Sequence, residues 1–236
     1  MSAMRTLLVP APLVPGPVIL SGEEARHGAA VLRLRPGDAM RLADGAGHAA
    51  VGTVSRVGRD TLEVVVSGVE NLPLDPAELL TVVVAAPKGE RLADLVRMLT
   101  ELGVGRIAPL ICARGERVPG NNERLTRIAA EALKQSRRAR LPILAEPLTV
   151  AEAATLGQRL VVLDPLGAAP VPGPVLPTML VVGPEGGLTP EELATLAAAG
   201  AVATRLAGPI LRIETAAVAA AAVWAAAWST PPSPAS

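Results

Sequence analysis

The sequence contains a single cysteine, Cys112, so neither an internal disulfide nor a cysteine-cluster zinc site can form, and a reducing cytoplasm is the compartment this usage fits. Cys112 closes the apolar run 107–111 with no histidine nearby, which points to a buried structural thiol rather than a nucleophile. Histidine is almost as scarce. His27 and His48 both lie near the amino terminus, so the carboxy-terminal part has no usual imidazole base. Net charge is also lacking: 22 basic residues balance 22 acidic ones, and the whole-chain charge offers no argument for a nucleic-acid partner. Lys88 and Lys134 are the only lysines. Residues 1–9 carry Arg5 and lead into a proline-rich segment rather than the apolar core of a signal peptide. The apolar stretch 216–228 falls short of the ~18 residues that suggest a membrane span. It reads as an alanine-rich helix with Trp224 and Trp228 one turn apart on one face, so neither a membrane nor a metal is expected as a partner.

What is present divides the chain in two. Over residues 1–72, β-prone runs such as Thr61-Leu62-Glu63-Val64-Val65-Val66 alternate with turn signals such as Asp44-Gly45, which predicts a small β-rich barrel. Asn71-Leu72-Pro73-Leu74-Asp75-Pro76 reads as a linker, and residues 73–236 as a second domain. There, apolar runs near 80–86, 107–111, 143–145, 160–163, 179–182 and 201–206 alternate with helical patterns, the signature of a parallel α/β sheet. Leu92, Leu95, Val96, Leu99 and Leu102 form a helical stripe ended by Gly103, and 167–177 reads as an irregular loop. Arg124, Arg127, Lys134, Arg137, Arg138 and Arg140 are opposed over their span by Glu131 alone. Such a cluster is either a phosphate-binding surface or a solvated helix face.

The most informative stretch is Gly183-Pro184-Glu185-Gly186-Gly187-Leu188-Thr189-Pro190-Glu191-Glu192. It joins the apolar run Met179-Leu180-Val181-Val182 to a helix start in which Thr189 and Glu192 form a capping box with Pro190 at the first helical position. Glycines let a ligand lie against the backbone, although a tight turn needing positive φ would use the same residues. The loop has neither the Lys-Ser/Thr of a phosphate P-loop nor the spacing of a dinucleotide fingerprint. A second strand-to-helix segment follows, Leu206-Ala207-Gly208-Pro209-Ile210-Leu211-Arg212-Ile213-Glu214-Thr215-Ala216.

Together these two loops resemble the paired ligand loops of the SPOUT class of RNA methyltransferases, specifically the ribosomal small subunit methyltransferase E family, which reads GPEGG and then LRTETA. Further matches extend the resemblance over almost the whole chain. They are Lys88-Gly89-Glu90-Arg91, Thr100-Glu101-Leu102-Gly103-Val104, Ile107, Pro109-Leu110, Glu131-Ala132, Gln135-Ser136, Arg138, Pro142, and upstream His27, Val31-Leu32-Arg33, Gly37-Asp38 and Asp44-Gly45. Three positions depart from the pattern: Ile213 stands where the family has Thr, Pro209 where an Arg is common, and Lys134 where a Glu is usual.

The resemblance implies a trefoil-knotted parallel-sheet domain, a PUA-like amino-terminal barrel, a homodimer formed through the knotted domain, and methylation of N3 of a uridine in 16S rRNA of the small ribosomal subunit. It implies S-adenosylmethionine as cofactor, held by Leu163, Gly183, Pro184, Glu185, Gly186, Gly187, Leu206, Gly208, Ile210, Leu211 and Thr215. Arg33, Lys88, Arg114, Gln135, Arg137 and Arg138 would contact RNA. Uridine N3 becomes nucleophilic only on losing its proton, so a cation to stabilise the uracil anion and a proton acceptor are needed. Arg212 is the candidate for the first role. Glu214 is either the base, an orienter of Arg212, or a first-turn carboxylate favoured by the helix dipole. A SPOUT enzyme acting on ribose or transfer RNA, and a catalytically silent RNA-binding protein, are the readings it competes with.

Overall fold

Strict apolar alternation builds the amino-terminal strands. In β5 (Thr61–Val66), Leu62, Val64 and Val66 point inward while their neighbours face out or are half-buried. With β1 (Thr6–Leu8), β2 (Gly16–Ser21), β3 (Ala39–Ala43), β4 (His48–Val57) and β6 (Glu70–Asn71) it forms a six-stranded sheet of order β1-β3-β4-β5-β2, β6 pairing with β4. Only the β1–β3 pairing is parallel. The sheet and the short helix α1 (Gly22–Arg26) enclose a core centred on Leu7, Leu20, Met40, Leu42, Leu62 and Val64.

The structure is a computed structural model that describes residues 4–10, 12–26, 28–29, 32–116 and 122–229. His27 and Val31 therefore lie outside the described residues. The chain forms two compact units, Met1–Leu74 with Ala130–Leu141, and Asp75–Ala129 with Pro142–Ser236. Within the first, Leu133 and Ala139 pack with Ala43 and Ala49 in a satellite cluster.

That insertion breaks up the basic cluster. Lys134 is buried, its Nζ paired with Glu24 at 2.7 Å and Glu131 at 2.6 Å, and Arg140 donates to the carbonyl of Leu72 at 3.0 and 3.1 Å. Arg124 pairs with Glu90 in the other unit's own structure. Arg127 and Arg137 remain exposed, with Arg138 half-buried, so only part of the cluster faces solvent.

Asp44 organises the turn before β4. Its carboxylate accepts from the backbone N–H of Ala46 (2.8 Å), His48 (3.1 Å) and Leu13 (3.2 Å), and lies 2.7 Å from His48 Nδ1. Burial alone would raise its pKa, but those hydrogen bonds outweigh it and hold the carboxyl below its usual value. A depressed folded pKa adds stability that is fully present above the ordinary aspartate value of about 4 and lost as pH falls through the folded value. Asp44→Ala is expected to destabilise the protein by at least about 1–3 kcal/mol, the cost of an unsatisfied buried donor. Urea unfolding at neutral and acidic pH checks both points: the gap between variant and unaltered protein should narrow below about pH 4.

The second unit is built on β7 (Leu80–Ala85), β8 (Arg106–Ile111), β9 (Ile143–Leu144), β10 (Leu148–Thr149), β11 (Arg159–Ala168), β12 (Thr178–Val182) and β13 (Val202–Thr204). All pair in parallel, in the order β10-β8-β7-β12-β11-β13 with β9 beside β8. Every residue of β7 and β12 is buried, as befits central parallel strands covered on both faces. The helices are α2 (Arg91–Glu101), α3 (Asn122–Ser136), α4 (Val150–Thr155), α5 (Pro190–Ala198) and α6 (Ile213–Trp228). In α2 the stripe Leu95, Val96 and Leu99 is buried, and Gly103 follows the helix at φ 88°, a conformation that suits a residue without Cβ. The helix α6 is apolar on nearly all sides because it packs on α2, β7 and β12 together, with Trp224 and Trp228 both buried. Among the described residues no helix is long and apolar enough to cross a membrane.

Two expectations are corrected. The stretch expected as loop from 167 begins as strand, because β11 runs on to Ala168 and rejoins β13 after a register shift between Leu163 and Ala168. A Cβ at Gly167 would lie 2.5 Å from the backbone nitrogen of Thr204, so only glycine permits that approach. Cys112 is half-buried rather than buried, just past the end of β8; burial first, and Glu192 second, push its thiol above the usual pKa, which agrees with an inert role.

Candidate active site

The carboxyl ends of the parallel strands converge on one edge of the sheet, where open α/β sheets form their ligand crevices. Residues 163–165 within β11 meet there with the exits 183–188 from β12 and 204–211 from β13, and together they line a cavity of about 280 Å³. The β12 exit is held rigidly. Thr189 Oγ1 accepts from the Glu192 N–H, and Glu192 returns a carboxylate oxygen to the Thr189 N–H at 2.8 Å, the capping box expected from sequence. The other Glu192 oxygen accepts from the Ala113 N–H at 2.7 Å, and Arg114 Nη1 donates to the Gly186 carbonyl at 2.6 Å. The loop leaving β8 therefore fastens the glycine loop at Gly186 and the helix that follows it at Glu192.

Of the residues expected to hold a cofactor, Leu163, Gly183, Pro184, Glu185, Gly186, Gly187, Leu206, Ile210 and Leu211 line this cavity. Gly208 and Thr215 do not. Leu163, Leu206, Ile210 and Leu211 supply aliphatic lining to the cavity. Gly187 has φ 70°, so the loop does use a left-handed residue, and the turn and ligand readings of its glycines coincide.

A second cleft, about 260 Å³, opens on the other side of the glycine loop at the ends of β7 and β8. Lys88, Arg91 and Arg114 line it with Glu116, and Pro184, Glu185, Gly186 and Ile213 are walls common to both spaces. Lys88 pairs with Glu116 at 2.6 Å, and that hydrogen bond chiefly raises its pKa, so the ammonium stays charged. Ile213 is buried at the junction, where it presents a methyl surface in place of the hydroxyl usual for the resembled family.

The two expected catalytic residues are placed differently. Glu214, in the first turn of α6, has a side chain only 12% exposed, and its Oε2 accepts no hydrogen bond. Arg212, the N-cap of α6, is exposed, and neither it nor Glu214 lines either cavity. The cation beside Glu214 is instead Arg91, at 3.6 Å, which also lies 3.7 Å from Glu185. Sequence reasoning missed Arg91. Its one signal is its place at the start of a helix directly after a strand, in Lys88-Gly89-Glu90-Arg91. Of the expected RNA contacts, Lys88 and Arg114 share the second cleft, while Arg33, Gln135 and Arg137 are exposed and Arg138 half-buried elsewhere. Among the described residues no cluster of His, Cys, Asp or Glu is arranged to hold a metal.

A parallel sheet with this crevice, carrying a match to the RNA methyltransferase domain over residues 75–225 and to the RNA methyltransferase PUA domain over 20–67, defines the class as RNA methyltransferases. A ribosomal RNA small subunit methyltransferase E from Mycobacterium tuberculosis is 37% identical, covering 86% of this chain and 83% of the relative, and one from Synechocystis is 33% identical over 91% and 74%. The structure of a ribosomal RNA small subunit methyltransferase E from Neisseria gonorrhoeae, bound to S-adenosyl methionine, superposes with a TM-score of 0.84 at 27% identity, covering 96% and 98% of the two chains. The chain belongs to the ribosomal RNA small subunit methyltransferase E family.

Proposed function

We propose that this protein transfers a methyl group from S-adenosylmethionine to N3 of a uridine in 16S rRNA of the small ribosomal subunit. The observation that carries this reading is the pairing of two spaces across one glycine loop, an apolar one at 163–165, 183–188 and 204–211 and a cationic one with Lys88, Arg91 and Arg114. The first fits the cofactor. Its aliphatic wall suits a flat purine, the glycines expose backbone N–H and C=O groups, and the Neisseria relative is solved with the same molecule bound. Leu163, Gly183, Pro184, Glu185, Gly186, Gly187, Leu206, Ile210 and Leu211, which line this space, would hold the cofactor, and when bound it supplies an electrophilic methyl.

The chain's own groups must then make N3 a nucleophile. Glu214 takes the N3 proton or orients the cation that stabilises the uracil anion, and Arg212 supplies that cation at the surface where RNA approaches. Arg33, Lys88, Arg114, Gln135, Arg137 and Arg138 bind phosphate and sugar. A deep trefoil knot, a homodimer through the knotted domain that brings groups from both subunits to each site, and a cytoplasmic setting complete the proposal.

Binding to RNA is local and electrostatic. Changing Arg137 and Arg138 together to Ala is expected to weaken binding to 30S subunits and to lower its salt slope by somewhat less than about one unit for each phosphate that is no longer neutralised. Filter binding across a salt series measures both, and unchanged values would make these arginines a solvated face.

Transfer of labelled methyl from the cofactor tests the reading as a whole. Label is expected in 16S rRNA as 3-methyluridine after incubation with 30S subunits. Label on ribose or on transfer RNA, or none on any RNA, would overturn it.

A further inference from the structure

Arg91 has no role so far beyond lining the cationic cleft, yet it pairs with Glu185, a wall common to both spaces. It is the first residue of α2, on the exit from β7, and β7 lies beside β12 with Val84 opposite Val182. This register brings the start of α2 alongside the glycine loop. The guanidinium is half-buried and lies 3.7 Å from Glu185 in that loop and 3.6 Å from Glu214 in the first turn of α6. One cation thus joins three segments: the β7 exit, the cofactor loop and the helix carrying the candidate base.

Glu214 makes this arrangement consequential. Its Oε2 is buried and receives no hydrogen bond. A carboxylate withdrawn from water depends on whatever counter-charge is close by. At 3.6 Å Arg91 gives charge compensation without a formed hydrogen bond. Its planar fork offers several donors and can serve two carboxylates together, whereas an ammonium is a single point charge.

We propose that Arg91 is a positioning residue for methyl transfer, holding the Glu214 carboxylate in a fixed orientation behind the wall of the cationic cleft that Arg91 itself lines, and tying it to Glu185 of the cofactor loop. The proposal rests on the functional reading above.

A double-mutant cycle tests it, with single-turnover rates on 30S subunits at saturating cofactor for the unaltered protein, Arg91→Ala, Glu214→Gln and the double variant. Arg91→Ala is expected to slow transfer about tenfold or more, Arg91→Lys to recover part of the loss, and Arg91→Ala to cost nothing further in the Glu214→Gln background. Effects that multiply, or a full rate in Arg91→Ala, overturn the proposal. If the unaltered protein transfers no methyl to 30S subunits, the functional reading has failed, and the same four proteins are compared by urea unfolding. There, non-additive midpoints at Arg91 and Glu214 support the clamp and additive ones overturn it.

Discussion

Arg212→Ala is expected to lower the single-turnover rate of methyl transfer to 30S subunits by about 10²-fold or more, the usual consequence of removing a group that stabilises charge developing in the transition state. Cofactor affinity should change little, because Arg212 lines neither cavity. Arg212 is the N-cap of α6 and is exposed two residues before Glu214, with no side-chain hydrogen bond to its own helix. A cation held in that way is free to meet RNA or the site of a second subunit. Arg212→Lys keeps the charge and loses the planar fork, so an intermediate rate is expected. The competing arrangement is specific: if Arg91 is the only cation the reaction uses, Arg212→Ala retains full activity.

Gly186→Val should weaken binding of S-adenosylmethionine about tenfold or more, a change of about 1.4 kcal/mol. Gly186 is the loop position where this substitution reports on the ligand rather than on folding. A Cβ there meets only Arg114 Cδ, at 3.6 Å, an ordinary van der Waals distance, and Gly186 is not among the residues at positive φ. The valine methyls would project from a wall shared by both cavities. Gly187, at φ 70°, is the poorer choice because any side chain there strains the backbone. Calorimetric titration of the folded variant decides the matter, and an unchanged affinity would move the cofactor site away from this loop.

Local chemistry was legible in the sequence. The capping box of Thr189 and Glu192, the buried strand before it and the left-handed glycine after α2 each depend on residues a few positions apart, and all stand as expected. The apolar runs likewise mark every strand of the parallel sheet except β10, whose two residues are Leu148 and the polar Thr149, whereas the equally short β9 is Ile143–Leu144 within an apolar run. Long-range pairing was not legible. Lys134 finds Glu24, and Arg140 the carbonyl of Leu72, only because the second half of α3 packs within the amino-terminal unit, and no window of sequence brings those residues together. Arg91 was missed for the same reason, as its two carboxylates lie far along the chain on the β12 exit and on α6. The extended β11 depends on Gly167 approaching the backbone of Thr204, where the residues alone read as a glycine- and proline-rich loop.

The central claim, a methyl placed on N3 of a uridine in 16S rRNA, is tested most directly by mapping modified bases in 16S rRNA from cells with and without this protein. One 3-methyluridine should be missing from the cells that lack it and return with the unaltered protein, but not with Arg212→Ala. Identical maps from both cells would contradict the account, as would a missing mark at a position other than uridine N3.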